Sequence, residues 1–166
     1  MTNYKMMIEI SAHSRVKYEY NKSDNEMQVD RLLTMSYPCH YGFIPNTLGG
    51  DGDPIDVLLQ LSDGISLMPM STIMVRPIGV LLTKDESGAD AKILAVPSSK
   101  IDPFASEIRS YEDLPEILIK KIEHFFRHYK DLEKNKWVEI EGWQGVEAAH
   151  DIISQGFDNF SKEQNA

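Results

Sequence analysis

The feature that most constrains the fold is a series of short, mainly apolar or alternating runs, separated by Gly, Pro, Asn and Asp residues. Runs of this length and pattern are typical of β-strands, and their close spacing predicts a barrel or a sandwich. The predicted strands are residues 5–10, 16–20, 28–33, 56–61, 72–83 and 91–96. Because proline cannot donate to a sheet ladder, Pro77 predicts a bulge or an edge in the longest run.

The second half of the chain predicts two helices around a further strand. Asp113 and Glu116 are placed to cap a helix start, with Pro115 near its first turn. An apolar stripe at helical spacing follows, wide enough to pack on a sheet, and consists of Leu118, Ile119, Ile122, Phe125, Phe126 and Tyr129. Residues 137–143 alternate like a strand, and 146–160 predict a terminal helix. We expect the polar segment 98–113 to be a long surface loop.

Size and charge limit the classes of protein to which the chain can belong. With 166 residues and 42% hydrophobic content, we expect residues 1–166 to form one domain. The formal net charge of −9 argues against binding of a nucleic-acid backbone by charge attraction. No run of apolar residues is long enough for a membrane span, and residues 1–7 lack the core of a signal peptide. We therefore expect a soluble, cytoplasmic protein.

Cys39 is the single cysteine of the chain. It cannot form an intrachain disulfide, which agrees with a reducing compartment. We interpret it as a buried structural thiol rather than a catalytic nucleophile.

The segment Asp51-Gly52-Asp53-Pro54-Ile55-Asp56 places three carboxylates within six residues. In an extended segment Asp51 and Asp53 share a face, and Asp56 joins them if the chain bends, as Gly52 and Pro54 favour. Carboxylates roughly 5 Å apart repel by about 3 kcal/mol per pair at an effective dielectric near 20. Gathering them therefore requires cations or protons, and ligands that are all oxygen favour magnesium or manganese over zinc.

A second acidic cluster lies in residues 84–92, which predict a hairpin loop with Gly88 at its centre. Asp85 and Asp90 would flank the loop, and Asp90 and Lys92 would share one face of the following strand. Taken alone, each acidic cluster is equally typical of a solvated turn.

Two other interpretations of the aspartates fit poorly. A calcium-binding helix-loop-helix loop requires glycine at its sixth position, where this segment has Asp56, and it has Pro54 at the fourth. An aspartyl-nucleophile phosphatase usually has its acid pair after a buried strand and a small hydroxyl residue after the pair. Here the polar segment 46–50 precedes the acids and Ile55 follows Asp53 and Pro54.

Other polar side chains are ambiguous when taken alone. Tyr37 and Tyr41 can donate hydrogen bonds without adding charge, or can be ordinary core or barrel-rim residues. The charged residues of the early strands ordinarily indicate an outward, solvated row; they are Glu9, Lys17, Glu19 and Arg31.

These motifs together resemble the soluble family I inorganic pyrophosphatases of the bacterial type. The resemblance covers nearly the whole chain, and its most specific motif is Asp51-Gly-Asp-Pro-Ile-Asp56. Further matching stretches are 8–10, 17–19, 37–43, 85–92, 124–133 and 136–137. The resemblance implies an α+β, mainly β fold, with two helices of the C-terminal half packed on a small closed OB-like β-barrel.

The resemblance also implies a role for each matching residue. Asp53 would be the general base. The metal ligands would be Asp51, Asp56, Asp85 and Asp90. The phosphate contacts would be Lys17, Arg31, Tyr41, Lys92, Tyr129 and Lys130. The supporting acidic and phenolic wall would be Glu9, Glu19, Tyr37 and Glu86.

The implied activity is that of an inorganic diphosphatase, a hydrolase that splits pyrophosphate into two phosphates with a metal-activated water. Several magnesium ions would act in each active site, with manganese or zinc as substitutes. Two alternatives remain: a small-barrel module that only binds divalent cations, and a metal-dependent hydrolase of other phosphoanhydrides. A cation-binding module has no use for the basic and phenolic residues, which favours an enzyme.

Two segments need separate expectations. The segment 32–36 is shorter than the corresponding segment in most members of this family. A shorter segment could change the direction of the strand that carries Arg31, so Arg31 is the phosphate contact most sensitive to the path of the chain. His124 and His128 are spaced to bind zinc on a helix, and Asp131 follows them. The resemblance instead implies that these three residues lie at a subunit interface of a homohexamer.

Overall fold

The computed structural model describes residues 2–166. In order, the strands are β1 Tyr4–Ile10, β2 Val16–Asn21, β3 Glu26–Leu32, β4 His40–Phe43, β5 Asp56–Leu59, β6 Thr72–Asp85, β7 Gly88–Ala89, β8 Lys92–Pro97 and β9 Val138–Gln144. The α-helices are α1 Glu116–His128 and α2 Val146–Gln164, and short 3-10 turns lie at Pro103–Ala105 and Tyr111–Asp113. The fold is therefore α+β and mainly β, as predicted.

A ring of strands closes the barrel. β1 pairs with β4, β4 with β5, β5 with β8, β8 with β6, and β6 returns to β1. β7 and β9 also pair with β6, whereas β2 and β3 form a separate hairpin. The predicted small closed barrel is confirmed, with the β2–β3 hairpin outside its ring.

The proline in β6 has the predicted local effect. The register between β6 and β8 shifts between Pro77 and Gly79, which is a bulge. Since β6 has partners along its length, the bulge rather than an edge position accommodates the missing donor.

Successive side chains of a strand point to opposite sides of the sheet, and each side forms an apolar core with one helix. On β5, Val57 and Leu59 belong to an apolar cluster that includes Ile153 of α2. Leu58, between them, belongs to the cluster that includes Phe126 of α1. Both helices therefore pack on the barrel through buried apolar side chains, as expected from their amphipathic patterns.

The predicted cap of α1 is wrong. α1 begins at Glu116 after Pro115, and no side chain caps it. The Asp113 carboxylate instead accepts hydrogen bonds from the backbone N–H groups of Arg109 and Ser110, at 2.9 and 3.0 Å. Asp113 thus closes the preceding 3-10 turn, and the expected loop 98–113 contains two such turns.

The strand β4 was not predicted from the sequence. This strand is only four residues long, between Pro38 and Pro45, and it lies so close to β1 that a Cβ at Gly42 would collide with the carbonyl oxygen of Met7. Glycine at this position lets β4 lie close to β1. The resulting position of β4 brings its residue Tyr41 beside the aspartates.

Cys39 is buried, and burial raises the pKa of its thiol to about 12. This agrees with a structural thiol. Among residues 2–166, no helix is both long enough and apolar enough to span a bilayer.

Candidate active site

One open cavity of about 650 Å³ brings together the predicted site residues. Its walls come from β1, the β2–β3 hairpin, β4, the loop before β5, the β6–β8 hairpin and the turn after α1. The predicted residues that line it are Glu9, Lys17, Glu19, Arg31, Tyr37, Tyr41, Asp51, Asp53, Asp56, Asp85, Glu86, Asp90, Lys92, Tyr129 and Lys130. The fold therefore places every predicted site residue at the same cavity.

The loop before β5 bends as its sequence predicts. Gly52 has a φ of 84°, a conformation that favours glycine, and the Asp53 N–H donates to the Asp51 carboxylate at 3.1 Å. The buried Thr47 hydroxyl donates to the Ile44 carbonyl at 2.6 Å and accepts from the Ile55 N–H at 3.0 Å. These bonds anchor both ends of the loop and leave the Asp53 side chain exposed.

Lys92 provides a buried cation within the acidic cluster. Its side chain is 3% exposed, and its Nζ lies 2.8 Å from Asp90 Oδ2 and 2.9 Å from Asp56 Oδ2. It also donates to the Tyr41 hydroxyl at 3.1 Å. The parallel pairing of β5 with β8 sets Asp56 opposite Lys92, and Asp90 and Lys92 share a face as predicted.

Burial perturbs the carboxylates around Lys92. It raises the pKa of Asp56 well above its ordinary value, although the Lys92 charge opposes this. At Asp90, burial is outweighed by the Lys92 charge and by hydrogen bonds, so its pKa is lowered. Burial also raises the pKa of Asp51 to about 6. The cluster therefore holds more carboxyl groups than one lysine stabilises in the ionised form, and it favours further cations or protons.

The donor set fits hard divalent cations. In residues 2–166 no three acidic, histidine or cysteine side chains are already close enough to hold an ion, and the Lys92 ammonium bridges Asp56 and Asp90. The available groups are nevertheless all carboxylate oxygens facing one cavity, with excess negative charge, as hard cations require. The residues that could hold such ions are Asp51, Asp56, Asp85 and Asp90.

The β6–β8 hairpin and the end of α1 form a second charged wall. Asp85, buried at the end of β6, accepts from the Ser87 N–H at 2.8 Å and pairs with Lys130 at 3.2 Å. Lys130 also lies 3.6 Å from Glu86. Burial lowers the pKa of Lys130, but neighbouring Tyr129 and Asp85 outweigh it, so the pKa is raised and the ammonium is retained.

The tyrosines of the site pack against the apolar core and also line the cavity. Tyr37 and Tyr41 have ring centroids 5.2 Å apart, and Tyr129 stacks on Phe125 at 5.1 Å. Burial raises the pKa of each of these tyrosines, so they remain neutral hydrogen-bond donors. Tyr37 is buried and lines the cavity, so its position is compatible with both sequence interpretations, core and site.

The β2–β3 hairpin brings its charges to the cavity rather than to open solvent. Lys17 lies 3.3 Å from Asp30 Oδ2, and Arg31 Nε donates to the same carboxylate at 2.9 Å. Arg31 also pairs with Glu133. The short segment 32–36 therefore does not remove Arg31 from the cavity wall.

Glu9 reaches the cavity from β1. Its carboxylate accepts a hydrogen bond from the Tyr20 N–H at 3.2 Å. Burial nevertheless raises its pKa to about 7. Glu9 is thus a third carboxyl group, after Asp51 and Asp56, that favours nearby cations or a proton.

Sequence reasoning missed several polar residues of the cavity wall: Asn21, Lys22, Gln28, Ser87 and Lys136. Lys136 lies in a stretch that carried the family resemblance, which was the one available signal. The others lie on hairpins whose faces periodicity alone cannot assign.

His124, His128 and Asp131 lie outside the cavity lining. His128 Nδ1 is 2.7 Å from Asp131 Oδ2, and the two imidazole rings have centroids 4.8 Å apart. The side chains of His128 and Asp131 are 42% and 57% exposed.

The comparison with known proteins agrees with this geometry. The family model "Inorganic pyrophosphatase" matches residues 6–161. An inorganic pyrophosphatase of Rickettsia typhi is 48% identical over 163 residues, covering 96% of this chain and 90% of that protein. An inorganic pyrophosphatase structure from Helicobacter pylori has a TM-score of 0.91 at 43% identity, covering 96% of this chain and 94% of that one.

A structure from Anaplasma phagocytophilum, described as an inorganic phosphatase, has a TM-score of 0.92 at 44% identity over 96% of this chain and 94% of its own. The match is therefore nearly full-length in sequence and in fold. The chain belongs to the inorganic pyrophosphatase family, whose members are metal-dependent.

Proposed function

We propose that residues 1–166 act as one inorganic pyrophosphatase domain that hydrolyses pyrophosphate to two phosphates with magnesium. The observation that carries the proposal is the meeting of buried carboxylates and buried cations in one cavity, with Lys92 between Asp56 and Asp90. A polyanionic substrate with its cations needs both kinds of group in one place. A module that only binds cations would gain nothing from Lys92 and Lys130 there.

Asp51, Asp56, Asp85 and Asp90 would hold the magnesium ions, and manganese or zinc would substitute for magnesium. When bound, such ions neutralise pyrophosphate oxygens and lower the pKa of water. The four carboxylates would thereby fix where the substrate and the attacking water meet.

Asp53 is the proposed general base. Its carboxylate is exposed to the cavity, and its side chain makes no hydrogen bond or ion pair with residues 2–166. It lies between two proposed metal ligands in sequence, and Gly52 turns the loop so that Asp53 is not packed away. A carboxylate free of other partners can accept the proton of an attacking water within hydrogen-bond reach.

The basic and phenolic residues would bind the phosphate oxygens. They are Lys17, Arg31, Tyr41, Lys92, Tyr129 and Lys130. Phosphoryl transfer depends mainly on positioning and on charge stabilisation, and ion pairs with the walls hold the four basic side chains in place. Glu9, Glu19, Tyr37 and Glu86 would support them, the acids by balancing the cations and Tyr37 by packing.

We further propose that the protein is a cytoplasmic homohexamer with His124, His128 and Asp131 at a subunit interface. The support is their position on α1 and just after it, away from the cavity, with His128 and Asp131 largely exposed. They would then be free to meet a second copy of the chain.

Phosphate release tests the proposed activity. Pyrophosphate, ATP and a simple phosphomonoester are each supplied with magnesium, with manganese, with zinc and with EDTA. We expect release from pyrophosphate with magnesium, less with the other metals, and none in EDTA. Cleavage of ATP with pyrophosphate untouched would instead support a hydrolase of other phosphoanhydrides, and metal binding without any hydrolysis would support a cation-binding module.

A further inference from the structure

The guanidinium group of Arg31 is held on two sides by carboxylates from different parts of the chain. Its Nε donates to Asp30 on the same strand at 2.9 Å, and its Nη1 pairs with Glu133 in the turn after α1. Nη2 makes no hydrogen bond with residues 2–166. The side chain is 33% exposed and lines the cavity.

The contact with Glu133 joins two separate units. The β2–β3 hairpin is a sheet of its own, outside the barrel ring. In the part of the chain that the structure describes, Arg31–Glu133 is the one salt bridge between that hairpin and the rest of the protein. The Glu133 N–H in turn donates to the Lys130 carbonyl at 3.0 Å, and Lys130 is tied to Asp85. The bridge therefore connects the hairpin to the turn that carries Lys130.

Glu133 does not line the cavity. The contact of its side chain with the cavity wall is the pairing with Arg31, so Arg31 is the residue through which its carboxylate would act on bound phosphate. Without Glu133, Arg31 would keep only Asp30, which it shares with Lys17. A long side chain held by one shared acid samples more rotamers and loses more entropy when it binds an anion.

We infer that Glu133 is a positioning residue for the reaction: it fixes the Arg31 guanidinium at the cavity wall with Nη2 left to donate to a phosphate oxygen. The inference rests on the proposed function. Arginine suits this role because its planar group can meet two carboxylates and still present a further donor, which the compact lysine ammonium does less well.

The first test compares steady-state kinetics of Glu133→Ala and Glu133→Gln with the wild type. Glu139→Ala is the matched control, because Glu139 is exposed and has no ion pair in residues 2–166. We expect KM for pyrophosphate to rise roughly fivefold to tenfold in Glu133→Ala, with a smaller change in kcat. Glu133→Gln keeps the shape and an acceptor oxygen but loses the charge, so its KM should be intermediate.

The second test places Glu133→Ala in Arg31→Ala and Arg31→Lys backgrounds. If Glu133 acts through Arg31, removing it should change KM less than twofold in either background, a non-additivity that a general loss of packing would not produce. Thermal unfolding of every variant shows that the comparison is made between folded proteins.

Three results would overturn the inference. They are an unchanged KM in Glu133→Ala, a lower KM, which would mean that Glu133 withholds Arg31 from the substrate, and an equal rise in the absence of Arg31. The wild type separates this inference from the proposed function. If it releases no phosphate from pyrophosphate the function fails, whereas active wild type with Glu133→Ala equal to Glu139→Ala refutes only the role of Glu133.

Discussion

Lys92 Nζ lies 2.8 Å from Asp90 Oδ2, and this pair is buried at the centre of the acidic cluster. The same ammonium reaches Asp56 at 2.9 Å. One lysine therefore neutralises part of the charge that the proposed metal ions would otherwise balance. Stability and metal binding should accordingly be linked in this protein.

Replacing Lys92 with methionine should destabilise the metal-free protein. The change keeps the apolar stem but leaves Asp56 and Asp90 buried without their cation, which typically costs about 3–5 kcal/mol. Urea unfolding in EDTA and in magnesium measures this cost. We expect a smaller loss in magnesium, because bound cations replace part of the missing charge.

Lys84→Met is the control for that measurement. Lys84 is 50% exposed and pairs with Glu141 at 3.5 Å, so its removal should change the free energy of unfolding by less than about 1 kcal/mol. An equal loss for Lys92→Met with and without magnesium would contradict the link between charge balance and metal.

Magnesium should stabilise the wild-type protein by mass action. A ligand that binds only the folded state at about 100 times its Kd adds about 2.7 kcal/mol to the free energy of unfolding. Asp51→Asn removes one proposed ligand and should shift the magnesium concentration needed for half of this effect upward. Thermal unfolding across a magnesium titration measures both, and a titration identical for Asp51→Asn and wild type would remove Asp51 from the ligand set.

Glu9 should make metal-free stability depend on pH. Burial raises its folded-state pKa to about 7, above the ordinary glutamate value of about 4.3. The folded state then holds this proton more tightly than the unfolded state, so the contribution of Glu9 to stability is fully present below about pH 4 and is lost as pH rises through 7. The full effect of this shift is about 3–4 kcal/mol.

Glu9→Gln cannot titrate, so it isolates this contribution. In EDTA, the free energy of unfolding of the wild type should fall relative to Glu9→Gln between pH 5 and pH 8, while Glu139→Gln should follow the wild type. Parallel curves for wild type and Glu9→Gln would show that burial does not perturb Glu9.

Assembly should depend on the histidines of α1. Their rings have centroids 4.8 Å apart, and His128 pairs with Asp131 at 2.7 Å on the proposed interface. Sedimentation velocity of the double variant His124→Asn and His128→Asn should show a smaller species than the wild type, because the variant removes the rings on which the interface would be built. An oligomer of unchanged size in the double variant would exclude the histidines from the interface.

The barrel could be predicted from the sequence, whereas several of its connections could not. Period-two alternation identifies β1, a long and mainly apolar run identifies β6, and Pro77 marks its own bulge. β4 is too short for periodicity to reveal, and it depends on the close approach at Gly42. Asp113 could cap either the 3-10 turn at 111–113 or the start of α1, because the two are adjacent in sequence. Only the tertiary path of the chain determines that it caps the turn.

The candidate site, too, could be predicted only in part from the sequence. Asp51, Asp53, Asp85, Asp90 and Lys92 could be grouped locally, because strand and turn geometry act over a few residues. Joining them to residues such as Lys17 and Arg31 requires the tertiary position of the hairpin, which here came from family resemblance. The pairing of Arg31 with Glu133 crosses about a hundred residues and had no sequence signal.

Asp53 is the proposed group that takes the proton, whereas its neighbours Asp51 and Asp56 are proposed metal ligands. The most direct test is phosphate release from pyrophosphate in magnesium by wild type, Asp53→Asn and the exposed loop control Asp63→Asn. We expect kcat of Asp53→Asn to fall by roughly 10²- to 10⁴-fold, with magnesium stabilisation retained and Asp63→Asn unchanged. Wild-type turnover by Asp53→Asn would contradict the assignment.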